Sequence, residues 1–153
     1  LQHDGRATHQ ALAEAIHLSA SQVGRRIQRL EELGLLERCV WLLRPAKLGL
    51  DVTAFTRVSL DRHTEADADA FIRALGEMRE VLECHHITGD HTLMLKVRTV
   101  GTASLEQVIS RLRSIDGVDR THTMVVLSTL NEHGPILLAD AEPTKKRQKK
   151  EVA

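Results

Sequence analysis

The order of elements written in this sequence predicts an α+β chain, an N-terminal winged helix-turn-helix followed by a ferredoxin-like βαββαβ domain. Two patterns and one charge asymmetry carry that reading. Apolar residues recur at helical spacing from Thr8 to Leu36 around one short break, and from Val52 the pattern becomes strand, helix, strand, strand, helix, strand. Residues 1–50 hold seven Lys/Arg against five Asp/Glu, residues 51–140 nine against fourteen, and residues 141–153 five against two. A basic head, an acidic body and a basic tail, summing to a net charge of zero, place polyanion contact at the ends alone.

The first helix opens at Thr8, whose hydroxyl can cap the first-turn amides, and its apolar positions are Ala11, Leu12, Ala13 and Ile16. His17 and Leu18 interrupt it. Ser19 with Gln22 three residues on is a capping box that starts a second helix. There Val23, Ile27 and Leu30, extended by Leu33, share one face and are expected to pack on the first helix. Steps of about 100° per residue put Ser21, Arg25, Gln28, Arg29 and Glu32 on the opposite face, with Gln22 and Arg26 on the flank. Arginine pairs with guanine O6 and N7, glutamine with adenine, and a helix N-terminus favours phosphate, so this face has the groups that read double-stranded DNA. A solvated face whose Glu31 and Glu32 offset its arginines explains the same residues on charge alone; the turn and capping box favour DNA. Gly34 ends the helix.

Glu37 to Leu43 (ERCVWLL) is β-branched and aromatic and stops at Arg44-Pro45, which predicts a short strand or wing. Trp41, the single tryptophan, is expected to pack beneath it rather than anchor an interface. The expected domains are 1–44 for DNA, 45–51 as a hinge, 52–140 for oligomerisation and ligand, and 141–153 as a disordered basic tail. That tail (TKKRQKK) reads either as added phosphate affinity or as a solvated end.

In the second domain Val52–Leu60 alternates as a strand, and Glu65–Met78 is a helix with Ala68, Phe71, Ile72 and Leu75 inward. Strands at Val81–Thr88 and His91–Thr99 flank the turn signal Gly89-Asp90. A helix over Ser104–Ile115, capped by Thr102 or Ser104, turns Leu105, Val108, Ile109 and Leu112 inward. Gly117 breaks it, and Val118–Leu130 is the last strand. Helices on one face of such a sheet leave the other to be covered by a partner subunit.

Several function classes are excluded. No run of about 18 apolar residues exists, so no membrane partner is expected and the cytoplasm is the expected compartment. Cys39 and Cys84 lack zinc or redox spacing and read as buried thiols. Cys84, His85, His86, His91 and His122 invite a metal, but strand alternation points Cys84 and His86 away from His85, so they cannot converge within one chain. No nucleophile with a positioned base and no carboxylate pair marks an enzyme. RNA stacking on the sheet would need aromatics, and the chain has only Phe55, Phe71 and Trp41. The chain opens on Leu1 and reaches its first cap only at Thr8, so an upstream segment is expected.

A helix-turn-helix, a short strand and a ferredoxin-like domain in this order resemble the Lrp/AsnC (leucine-responsive, feast/famine) family of bacterial and archaeal transcriptional regulators. The residues that carry the resemblance are LSASQVGRRIQRLEELGLLER (18–38), CHHITGDHTLMLKV (84–97) and GVDRTHTMVVL (117–127). It implies a sequence-specific DNA-binding homodimer assembled to an octamer, with no cofactor, whose C-terminal domain binds an amino acid or related metabolite between subunits. It places Ser19, Ser21, Gln22, Arg25, Arg26 and Arg29 on the recognition helix, to which the helical-face reading adds Gln28. The implied effector residues are Thr88, Gly89, Asp90, His91, Thr92 and Thr123. Members of the family often carry Gly-Asp-Tyr/Phe-Asp at the turn; here it is Gly89-Asp90-His91-Thr92, which removes one acidic partner for an ammonium and leaves a neutral hydroxyl. The alternative is a metabolite-binding module whose helix-turn-helix serves only in assembly.

Overall fold

The computed structural model describes residues 1–61 and 65–136, leaving aside the side chains of residues 65–68. The expected tail at 141–153, the end of the second domain at 137–140 and the inward placing of Ala68 fall outside the described residues. The described residues form two compact units, Leu1–Trp41 together with residues 131–136, and Leu42–Leu130. Among the described residues, no helix is long and apolar enough to cross a membrane.

In the first unit α1 spans His9–Ile16 and α2 spans Ala20–Glu32. Thr8 caps α1 by accepting from the Ala11 amide at 3.1 Å, and His17 ends it in the left-handed region. The capping box of α2 forms in full: the Gln22 amide donates to Ser19 Oγ at 3.3 Å, and the Ser19 amide donates to Gln22 Oε1 at 2.9 Å. Gly34, at φ 68°, closes the other end, with its own N–H on the Glu31 carbonyl and that of Leu35 on Leu30, both at 2.9 Å. These two hydrogen bonds satisfy carbonyls the helix end would leave free. Ala13 and Val23 are buried between the helices, but Leu33 is 60 % exposed and Ile16 50 % exposed, contrary to the expected packing. With eight residues against thirteen, α1 is roughly two-thirds the length of α2 and too short to cover all of its apolar face.

The expected strand at 37–43 does not form, and with it goes the wing. These residues pair with no strand among those described, and a lone extended segment has no ladder to hold it. Trp41 is accordingly 73 % exposed instead of buried, with the Arg6 guanidinium stacked 4.7 Å over its ring. Cys39 and Cys84 are both exposed free thiols rather than core residues.

The second unit begins with a single 3-10 turn, Pro45–Leu48, and then follows β1 (Val52–Leu60), α3 (Glu65–Gly76), β2 (Val81–His86), β3 (Leu93–Thr99), α4 (Thr102–Arg113) and β4 (Val118–Val125). The sheet is antiparallel throughout in the order β2-β3-β1-β4, the ferredoxin-like order. Its core joins Ala54, Val58, Leu93, Leu95 and Val97 from one sheet face to Phe71, Leu75 and Met78 and to Leu105, Val108 and Leu112 of α4. Ile72 is 51 % exposed, because the buried stripe runs through positions 71, 75 and 78 and leaves it about 100° aside. Neither Thr102 nor Ser104 is the cap of α4; Gly101 is, and Ser104 Oγ reaches back to its carbonyl at 2.8 Å. β4 stops at Val125 because Ala54 already faces Val125 and β1 begins only two residues earlier, so Leu127 and Leu130 stand 98 % exposed. β2 and β3 end short of the turn, whose residues 87–92 form a loop closed by the Ile87 N–H on the Thr92 carbonyl at 3.1 Å.

Candidate functional site

The first unit presents the helical face expected to meet DNA. Ser21, Arg25, Gln28 and Arg29 are all exposed, as are the flanking Gln22 and Arg26. Arg25, Arg26 and Arg29 form no ion pair among the described residues, and Glu32 accepts instead from Gln28 Nε2 at 3.0 Å. The acid that could have neutralised the arginines is therefore turned along the helix, and the face keeps its cations. Ser19 and Gln22 are spent differently. Each closes the cap of the other, and Ser19 Oγ also lies 3.0 Å from Gln22 Oε1 and 3.1 Å from Ser21 Oγ. What Gln22 retains for a base or phosphate is its amide nitrogen. With no acidic residue in its first turn, the N-terminus of α2 stays positive.

The expected effector residues of the second unit divide into two groups. Thr88, Gly89 and Asp90 are exposed at the tip between β2 and β3, with Gly89 at φ 110°, where a side chain would be strained. The tip is pinned to β1: the Thr92 N–H donates to the Val58 carbonyl at 2.9 Å, and Ser59 Oγ donates to the Asp90 carbonyl at 3.2 Å. His91 turns back from the tip toward β4, its ring centroid 6.3 Å from that of His122. Thr123 points to the helix-covered face, where its hydroxyl meets that of Thr56 at 3.0 Å. Within one chain Thr123 thus belongs to the β1–β4 seam and not to the surface His91 shares with His122.

Around that His91–His122 pair lies a cleft of about 530 Å³, which Arg57, Arg113, Asp119 and Arg120 also line. Arg57 Nη2 donates to His122 Nδ1 at 3.0 Å, Arg120 pairs with Asp119 at 3.0 Å, and Arg113 Nε donates to Thr121 Oγ1 at 2.9 Å. The reading of the sequence missed Arg57 altogether. Its signal was a lone cation at an interior position of the otherwise uncharged strand VTAFTRVSL. The other titratable residues singled out by sequence stay apart: among the described residues, no three of His, Cys, Asp and Glu converge as metal ligands. His85 instead meets Glu83 at 3.3 Å, and Lys96 Nζ donates to the same carboxylate at 3.0 Å, which holds the Glu83 carboxyl below the ordinary carboxylate range. Burial pushes the Cys84 thiol above its usual value.

Both units match known proteins. The sequence model of the AsnC-type helix-turn-helix domain covers residues 1–31, and that of the Lrp/AsnC ligand binding domain covers residues 53–136. The chain is 31 % identical over 134 residues to the HTH-type transcriptional regulator FL11 of Pyrococcus horikoshii, an alignment covering 86 % of this chain and 85 % of that protein. It is similar in structure to an AsnC family transcriptional regulator from Agrobacterium tumefaciens, with TM-score 0.84, 26 % identity and 90 % of each chain covered. A transcriptional regulator from Neisseria meningitidis, solved as its L-methionine complex, gives TM-score 0.82 with 29 % identity over 86 % of each chain.

Proposed function

The chain belongs to the Lrp/AsnC family of transcriptional regulators, and from that premise we propose how its two units divide the work. Residues 1–44 read double-stranded DNA through the exposed face of α2, residues 45–51 act as the hinge, and residues 52–140 oligomerise and sense a small molecule. The working form is a homodimer assembled to an octamer, in the cytoplasm where its DNA lies. Pairing two recognition helices lets them enter successive major grooves, roughly 34 Å apart. The single observation that carries the DNA reading is that, among the described residues, Arg25, Arg26 and Arg29 form no ion pair while Glu32 is drawn to Gln28. Arg25 and Gln28 read base edges, while Arg29, Arg26 and the Ser21 hydroxyl hold phosphates beside the positive end of α2, whose first turn Ser19 and Gln22 fix through the cap.

The effector is an amino acid or a related metabolite, as the L-methionine bound to the Neisseria protein suggests. It lies beside Thr88 to Thr92, where Thr92 Oγ1 offers a neutral hydrogen bond in place of an acid. A salt titration with promoter DNA tests the DNA reading. The logarithm of the binding constant should fall linearly with that of the salt concentration, by about 0.9 per phosphate neutralised. No affinity at low salt would leave assembly as the role of the helix pair. Thermal-shift screening of amino acids tests the sensing, and Thr92→Ala or Gly89→Val should weaken any hit.

A further inference from the structure

Arg57 is placed like a residue that awaits a charge. It sits in mid-strand on β1, and among the described residues its guanidinium has one acceptor, the His122 ring nitrogen at 3.0 Å. To accept, that nitrogen carries no proton, so the contact supplies no counter-charge. Arg57 Nε is enclosed and has no hydrogen-bond partner among the described residues, and neither has His91 Nδ1 a short way off. Among the described residues that line the same cleft the one acid, Asp119, is taken by Arg120 at 3.0 Å, while Arg113 adds a further cation. Enclosed donors without an acceptor are costly, and a guanidinium that has lost water without gaining an anion more so.

We propose that the Arg57–His91–His122 cleft binds the carboxylate of a small ligand and that its excess of cations selects effectors of net negative charge, acidic amino acids and dicarboxylates, over neutral and basic ones. This rests on the reading of the second unit as a ligand sensor. An incoming carboxylate takes the Arg57 Nε–H and a free Nη–H as a two-point fork, and His91 Nδ1, when it carries the ring proton, donates to the same group. A neutral amino acid makes the first contact equally well but brings its ammonium among three guanidinium groups. A second carboxylate offsets that ammonium, and a ligand without the ammonium avoids the conflict.

The test compares L-glutamate with its near-isostere L-glutamine, with glutarate and with L-lysine, by thermal shift and calorimetry on the full chain at matched ionic strength. Glutamate and glutarate should bind about tenfold or more tightly than glutamine, with lysine weakest. Arg57→Gln should abolish that preference, and Arg57→Lys, which keeps the charge but not the fork, should retain part of it. Should Arg57→Gln fail to fold, Arg57→Lys decides: a glutamate-over-glutamine preference undiminished in that variant overturns the proposal. Equal binding of glutamate and glutamine, or an order unchanged in Arg57→Gln, overturns the proposal. If methionine and leucine bind while glutamate and glutarate do not, the proposal falls and amino-acid sensing stands. If no amino acid or dicarboxylate shifts the protein, both fall.

Discussion

The hydroxyls of Thr56 and Thr123 lie 3.0 Å apart across the β1–β4 pair, on the face the helices cover. Thr56 is fully buried, so its hydroxyl depends on a partner inside the protein. Thr123→Ala removes that partner and should cost about 1–3 kcal/mol, read as a lower urea midpoint. The double variant Thr56→Val/Thr123→Val replaces both groups at nearly the same shape and should recover most of the loss. A double variant no better than the single would show that shape at the seam, rather than the hydroxyl pair, sets the stability.

The capping box of α2 supports the whole exposed face. Ser19→Ala deletes the acceptor for the Gln22 amide and frees the Gln22 side chain, and should destabilise the first unit by about 0.5–2 kcal/mol. Ser19→Asp keeps an acceptor, adds a charge suited to the helix N-terminus and should restore it. Helix content by circular dichroism through a thermal melt distinguishes the three proteins. An unchanged melt in Ser19→Ala would mean that the box contributes nothing beyond solvent.

These two cases show why some of the molecule was legible from sequence and some was not. Caps, glycine stops and the alternation of a half-buried strand are local, so Thr8, Ser19, Gly34 and the two helices and four strands of the second unit follow from neighbours in the chain. The ending of β4 depended on where β1 begins, which its own residues do not state. The run 37–43 has the composition of a strand but no partner among the described residues, so its apolar side chains stand exposed and Trp41 with them. Residue type alone invites a metal at the histidines and strand alternation argues against it, whereas the neighbour of His122 comes from register: Arg57 opposite His122 is a pairing between residues 65 apart. Thr123 was assigned to the effector by resemblance, and strand parity turned it to the other face of the sheet.

Glu83 should titrate below an ordinary glutamate, chiefly because of the hydrogen bond from Lys96. A carboxyl depressed in the folded state adds stability that is present above its unfolded value and lost as pH falls through the folded one. With the carboxylate 42 % exposed, solvent screening keeps that contribution small. The sharper readout is the carboxyl resonance itself: Lys96→Met should move the Glu83 midpoint upward. A midpoint that stayed low would transfer the cause to His85.

Cys84 is exposed as a residue, yet burial raises its thiol above the usual value, so less of it is thiolate at neutral pH. In a Cys39→Ser background, iodoacetamide should label Cys84 more slowly than a cysteine peptide at pH 7.5, and the rate should rise with pH along a curve displaced upward. Labelling as fast as the peptide at every pH would contradict this, and intact mass against time decides it.

One turn of α2 separates Arg25 from Arg29. Four residues along a helix return nearly to the same face, so both arginines point outward at different depths along the axis. Arg25 lies nearer the N-terminus of α2, the end a recognition helix brings to base edges. Arg25→Ala should therefore cost about 1–3 kcal/mol on the preferred sequence and little on random DNA, flattening discrimination. Arg29→Ala should weaken every sequence about equally and lower the salt slope by about one. Paired titrations of both variants against specific and scrambled duplexes at three salt concentrations separate the roles. Equal losses on every sequence in both variants would mean that the two arginines act only on phosphates, and base readout would then fall to Gln28 and the amide of Gln22.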